Sequence, residues 1–160
     1  MKIVEFNKKH SEQVKDLLVQ LQEYIVSLDK NKLNIITPQY REMYFKKTLN
    51  EIRKNKGKMF VALSNENVVG MVCGYLATYD KWDKIDYVCP KKGVITELVV
   101  DKNLRGGGVG KQLMQQMEDY FKGLGCEFVL LQVFAPNING KKFYDKLGYE
   151  DSLINMLKKL

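Results

Sequence analysis

The 160-residue sequence is sparing in the residues that nucleophilic and metal chemistry usually recruit, with one histidine and three cysteines. Any Ser–His or Cys–His arrangement would depend on His10 alone, at the entry to the first expected helix, which argues against that chemistry. Cys73, Cys89 and Cys126 are odd in number, widely spaced and free of any Cys-x-x-Cys pair. They indicate neither a disulfide framework nor a zinc knuckle, and reduced, mostly buried thiols are expected. No run of about 18 apolar residues is present, and the first residues alternate in charge instead of forming a signal peptide. A soluble, cytoplasmic protein with no membrane partner is expected. No ligand cluster calls for a metal.

Basic residues exceed acidic ones, 26 to 19, for a formal charge of +7. The lysines are scattered along the chain, and neither an aromatic RNA motif nor a recognition helix accompanies them, so no nucleic-acid partner is read. Solubility and an acidic ligand account for the charge. At 45% hydrophobic, without repeats, linkers or low-complexity segments, residues 1–160 read as one domain.

Lys2 to Phe6 alternates as a half-buried strand does, and Ser11 can cap a helix whose apolar positions run from Val14 to Leu28 at helical spacing. Thr37-Pro38 offers a cap and a first-turn proline for a second helix to about Lys54. Lys58 to Leu63 and Val68 to Tyr79 flank the turn-rich Ser64–Asn67 and predict an antiparallel hairpin. Within it, Gly70 and Gly74 mark bulges or close backbone approach. Asp80 to Lys92 reads as an irregular loop in which acids beside Trp82 suit an amine, or in which Trp82 is only an anchor. Gly93 to Val100 predicts a strand, Gly110 to Leu124 a helix stopped by glycine, and Cys126 to Phe134 another strand. A short helix through Tyr144 and a closing strand through Ile154, Met156 and Leu157 complete the chain. The two strands around the glycine-led helix should be parallel, joined by a right-handed crossover.

The most specific stretch is Thr96 to Met114, a strand followed by Arg105-Gly106-Gly107-Gly108-Val109-Gly110-Lys111 and the start of an amphipathic helix. Glycines that let consecutive N–H groups converge at a helix N-terminus make an anion site. A nucleotide P-loop does not fit, because Gly110-Lys111 is followed by Gln112 and Arg105 stands at the first glycine's place. A dinucleotide fingerprint fails too, with Lys111 at its third glycine. The Arg-x-x-Gly-x-Gly pattern at Arg105, Gly108 and Gly110 resembles the coenzyme A signature of the GNAT superfamily of acyl-CoA-dependent N-acyltransferases. Asn137 to Tyr149 is similar to the second hallmark of that superfamily, an Asn-x-x-Ala-x-x-Phe-Tyr run ending in Leu-Gly-Phe, with Gly140 for the alanine and Tyr149 for the phenylalanine.

The resemblance implies a single α/β (α+β) domain: a mixed, curved sheet of six to seven strands flanked by about four helices, with strands four and five parallel and splayed. It implies acetyl-CoA as co-substrate, its pantetheine arm pairing with main-chain groups at Leu98, Val99 and Val100. The pyrophosphate would rest on Arg105, Gly106, Gly107, Gly108, Val109, Gly110 and Lys111, with Asn137 and Tyr144 reaching the same arm. Arg105 either binds phosphate or braces the loop. The first two helices would wall the acceptor site, so Tyr40 and Tyr44, together with Trp82, are candidate substrate contacts. A homodimer is open, with the closing strand a contributor.

Acyl transfer to an amine requires a base, a donor for the developing oxyanion and a proton for the departing thiolate. Glu97, a lone carboxylate among Ile95, Thr96, Leu98 and Val99, is the candidate base, since burial raises its pKa; orienting the ammonium is the alternative role. Tyr144, by the resemblance, is the candidate acid; packing on the pantetheine arm is its alternative. A main-chain N–H near Val99 is the candidate oxyanion donor. The activity implied is N-acetyl transfer to a primary amine of a small molecule or peptide; a catalytically idle acyl-CoA-binding module is the other reading.

Overall fold

The computed structural model describes residues 1–160. Strands β1 (Lys2–Glu5), β2 (Lys58–Ser64), β3 (Asn67–Leu76), β4 (Lys92–Val100) and β5 (Phe128–Leu131) form one sheet in sequence order. The first four are antiparallel neighbours, and β4 and β5 are parallel. Helices α1 (Ser11–Leu28) and α2 (Tyr40–Lys54) cover one face, while α4 (Val109–Gly123), the crossover between β4 and β5, covers the other. The short helix α3 (Asp83–Asp86) lies between β3 and β4, and α5 (Ile138–Asp145) follows β5.

Period-two alternation divides the core between the two faces. Val61, Met71, Cys73 and Val99 pack with Leu18 and Phe45 under α1 and α2. Phe60, Ala62 and Val72 pack with Leu113, Met117 and Phe121 of α4. The β2–β3 hairpin closes through Asn65 (φ 48°) and Glu66 (φ 66°), two left-handed residues as a tight hairpin turn demands. Helix α4 ends at left-handed Gly125, whose N–H bonds to Lys122 O while that of Cys126 reaches Phe121 O.

Several expectations are corrected. The sheet has five strands instead of six to seven. Residues 149–160 form no strand, and β5 is confined to four residues of the expected Cys126–Phe134. The loop after β3 contains α3, because Asp80 Oδ1 accepts the N–H groups of Trp82 (2.7 Å) and Asp83 (3.0 Å) while Asp83 Oδ2 accepts that of Asp80 (2.7 Å). This reciprocal pairing nucleates one helical turn. Asn7 caps a short 3-10 turn leading into α1, displacing Ser11 from that role, and α2 starts after Gln39. Of the three free cysteines, Cys73 alone is fully buried.

Candidate active site

A bulge in β4 sets up the site. Cys73 pairs with Glu97 but its neighbour Gly74 pairs with Ile95, so Thr96 is an extra residue. The bulge reverses the alternation: Ile95 packs on the α4 side, whereas Val99 belongs to the α1–α2 core. Glu97 shares the parity of Val99 and turns toward α2, where its Oε1 accepts the Tyr44 hydroxyl. Gly74 makes the bulge sterically feasible, since a Cβ there would lie 2.4 Å from Val94 O. Thr96 Oγ1 and Cys73 Sγ contact each other at 3.4 Å.

Burial raises the Glu97 carboxyl above its ordinary range, opposed by the Tyr44 hydrogen bond and the Lys47 charge. Tyr40 stacks on Tyr44 with centroids 4.8 Å apart and planes within 13°, and both phenols are pushed up by burial and by the Glu97 charge. Lys47 Nζ lies 5.4 Å from the Tyr44 ring centroid. Tyr144 on α5 packs edge-on against Phe143 and Tyr149, and burial, aided by Glu97, pushes its phenol up to about 12. It is therefore protonated throughout the physiological range. Cys73 behaves likewise, its thiol pushed up to about 12 by burial and the same charge, which leaves it unreactive.

Parallel pairing of β4 with β5 begins at Lys92↔Phe128 and ends at Ile95↔Leu131. Beyond that point the β4 edge through Leu98, Val99 and Val100 has no strand beside it, which is the expected splay. The chain then enters the glycine loop, where Gly106 (φ 84°) and Gly108 (φ 79°) take left-handed conformations that disfavour side chains. These angles account for two of the three consecutive glycines; nothing in the structure requires Gly107. Gly110 serves packing, since a Cβ there would lie 3.3 Å from Phe143 Cζ. No N–H from Arg105 to Lys111 donates to a protein acceptor, so the amides are free at the positive end of the 15-residue α4.

Arg105 braces the loop: its Nε donates to Val100 O at 3.2 Å and its guanidinium covers Tyr24, 5.2 Å from the ring centroid. Asn137 caps α5, with Oδ1 accepting the Gly140 N–H at 2.9 Å and the Tyr24 hydroxyl at 3.2 Å. Gly140 allows this fold-back, because a Cβ would meet Asn137 Nδ2 at 2.4 Å. Tyr24, absent from the sequence candidates, thus clips α1 to both glycine-loop and α5 junctions. Its signal was faint, a tyrosine on the flank of the α1 apolar stripe.

The wall between α1 and α2 is fixed by Asp29. Its carboxylate accepts the N–H groups of Asn31, Leu33 and Asn34 and the Asn34 side-chain amide, at 2.7–2.9 Å. Trp82 does not join the cluster: it is 65% exposed, and its ring carries the Lys81 ammonium 4.8 Å from the centroid. The structure thus gathers Tyr40, Tyr44 and Glu97, brings Tyr144 under the Glu97 charge, and leaves Trp82 outside.

A bulged carboxylate strand, a splay and a loop of free amides leading into a crossover helix define a fold with a built anion cradle. Residues 25–149 match the family model described as the acetyltransferase (GNAT) family. The chain belongs to that family. It is 31% identical over 83 residues to an uncharacterized N-acetyltransferase of Methanocaldococcus jannaschii, covering 51% of this chain and 48% of that one. It is 37% identical over 70 residues to glucosamine 6-phosphate N-acetyltransferase of Arabidopsis thaliana, covering 44% of this chain and 45% of the other. The chain thus spans about half the length of these curated relatives. Among solved structures, a Bacillus halodurans protein superimposes with a TM-score of 0.84 at 23% identity, over 100% of this chain and 99% of that one. The Arabidopsis thaliana glucosamine-6-phosphate N-acetyltransferase gives 0.69 at 23% identity, over 99% and 97%. At these identities the likeness is one of fold. No helix is long and apolar enough to cross a membrane.

Proposed function

We propose that the protein transfers an acetyl group from acetyl-CoA to a primary amine of a small molecule or peptide, by direct attack in a ternary complex. The observation that carries this reading is the Thr96 bulge, which turns a desolvated carboxylate toward α2 at the point where β4 and β5 part. The residues fit the co-substrate: free amides from Arg105 to Lys111 for its pyrophosphate, and the unpaired edge at Leu98, Val99 and Val100 for its pantetheine arm. Acetyl-CoA supplies an acyl carbon activated as a thioester.

Glu97 takes a proton from the acceptor ammonium, directly or through water, so that the nitrogen lone pair is free to form the new N–C bond. A main-chain N–H near Val99 donates to the carbonyl oxygen as it gains charge. As the C–S bond breaks, Tyr144 gives its phenolic proton to the departing sulfur; the second proton that the nitrogen sheds on becoming the amide restores the phenol through water, and Glu97 releases its own proton to solvent. Tyr40 and Tyr44 offer a stacked aromatic wall beside the carboxylate, which suits the apolar flank of an amine.

The test is a melting curve with saturating acetyl-CoA, for the wild type and for Gly108→Glu, followed by a screen of amines that includes glucosamine 6-phosphate. Ligand at about 100 times its dissociation constant stabilises by roughly 2.7 kcal/mol, a resolvable shift. A wild-type shift lost in the folded variant, with acetylated product from at least one amine, is expected. No shift would overturn the reading; a shift with no turnover of any amine would favour the idle binding module.

A further inference from the structure

Helix α2 carries Tyr40, Tyr44, Lys47 and Glu51 at the three- and four-residue spacing that places side chains on one helical face. Tyr40 and Tyr44 are the stacked wall beside Glu97. Lys47 continues that wall: its Nζ lies 5.4 Å from the Tyr44 ring centroid, and the hydroxyl of the same ring donates to Glu97. The phenol thus links ammonium and carboxylate. Adding the length of the phenol and its hydrogen bond puts the two charges within about 11 Å of each other.

The Lys47 ammonium is uncommitted. Its ion pair with Glu51 Oε1 measures 3.9 Å, longer than a hydrogen bond, and its side chain is 63% exposed. Its three N–H donors are therefore open to a ligand. Lys15 and Arg41, the cations at the α1–α2 contact, are by contrast engaged. Lys15 pairs with Glu12 and Glu42 at 2.7–2.9 Å, and Arg41 with Asp16, Glu12 and Glu42 at 2.8–3.0 Å. The charge of Lys47 also opposes the effect of burial on Glu97, so its field reaches the point where the acceptor nitrogen must arrive. An ammonium docking on Glu97 meets that field as repulsion unless the same molecule brings an anion to Lys47.

On the basis of the acetyl-transfer reading above, we propose that Lys47 selects the acceptor, a small amine with a phosphate or carboxylate a few bonds from its nitrogen. The amine lies on Glu97 and the anion on Lys47. Hydrogen-bonded contacts of about 2.8 Å at each end leave up to roughly 5 Å between nitrogen and anion on the direct line, and more for a molecule that arches over the Tyr44 ring. A polyamine or a lysine-rich peptide, cationic throughout, is disfavoured.

Calorimetric binding to the full chain in saturating CoA tests this with matched amines. Glucosamine 6-phosphate against glucosamine and O-phosphoethanolamine against ethanolamine form the phosphate arm; γ-aminobutyrate against butylamine forms the carboxylate arm. The anionic member should bind about 10-fold more tightly in at least one arm, and that arm names the anion. Lys47→Met should abolish the preference and Lys47→Glu reverse it, with the melting temperature confirming the fold. Lys46→Met removes an equal charge from a separate groove beside Ser11 and Phe45 and should keep the preference. Added salt should shrink it. With acetyl-CoA, kcat/KM for the same pairs should follow the binding ratio. Equal binding within every pair, no binding of any amine, or a preference that survives Lys47→Met would overturn the proposal, as would one lost equally in Lys46→Met. A Lys47-dependent preference in binding without turnover of any amine would support Lys47 as the selector and overturn the acetyl-transfer reading instead.

Discussion

The Tyr44 hydroxyl donates to the Glu97 carboxylate, joining α2 to the bulged strand across the α1–α2 face of the sheet. This bond holds the Glu97 pKa down against the burial that raises it. Removing it in Tyr44→Phe leaves burial opposed chiefly by Lys47, so the acid limb of the kcat/KM profile should move to higher pH. An unmoved limb would mean that Glu97 is not the titrating base.

Glu97→Gln separates chemistry from stability. Loss of a general base should lower kcat by about 10²–10⁴-fold. Stability should move the other way. The folded pKa of Glu97 is raised, so the native state binds the proton more tightly, and stability falls as pH rises from the ordinary value of 4.5 through the raised one. The neutral amide escapes that penalty. The variant should melt at or above the wild-type temperature at pH 7, and its excess should vanish in acid; calorimetry across pH 4 to 8 checks both.

Tyr144→Phe keeps the edge-on packing against Phe143 and Tyr149 and removes the proton donor. Turnover should fall about 10²-fold while acetyl-CoA still raises the melting temperature. Full activity in this variant would assign Tyr144 a packing role.

Gly74→Ala should destabilise by about 2 kcal/mol, lowering Tm by roughly 4–8 °C, because the new methyl must displace Val94 O, 2.4 Å away, or the bulge itself. Activity per folded molecule should fall as well, since the bulge aims Glu97. A variant as stable and active as the wild type would show that β4 adapts.

Asp29 gives a second pH dependence. Its hydrogen bonds, led by that from the Asn34 side chain, depress its folded pKa below the ordinary 3.8. The stabilisation is therefore present above that value and lost as pH falls through the folded pKa. The protection of the Asn31, Leu33 and Asn34 amides relative to their intrinsic exchange rates should fall over that range, and Asp29→Ala should show the lost protection already at pH 7.

Sequence alone determined the local and motif-borne features. Helical spacing defined α1, α2 and α4, and turn chemistry marked the hairpin. The pattern Arg105, Gly108, Gly110 carried the anion loop, because positive-φ glycines and a helix start are consequences of nearest neighbours. Tertiary structure decided what depends on partners distant in the chain. Strict alternation assigns Glu97 to the same face as Ile95; the bulge against Gly74 reverses this and brings Tyr44, more than 50 residues earlier, onto the carboxylate. Trp82, an attractive aromatic beside acids, remains outside the cluster because Asp80 and Asp83 fold its loop into a separate turn. The apolar residues after Asp151 suggest a strand, yet a strand exists only where an edge receives it, and no edge of its own chain does.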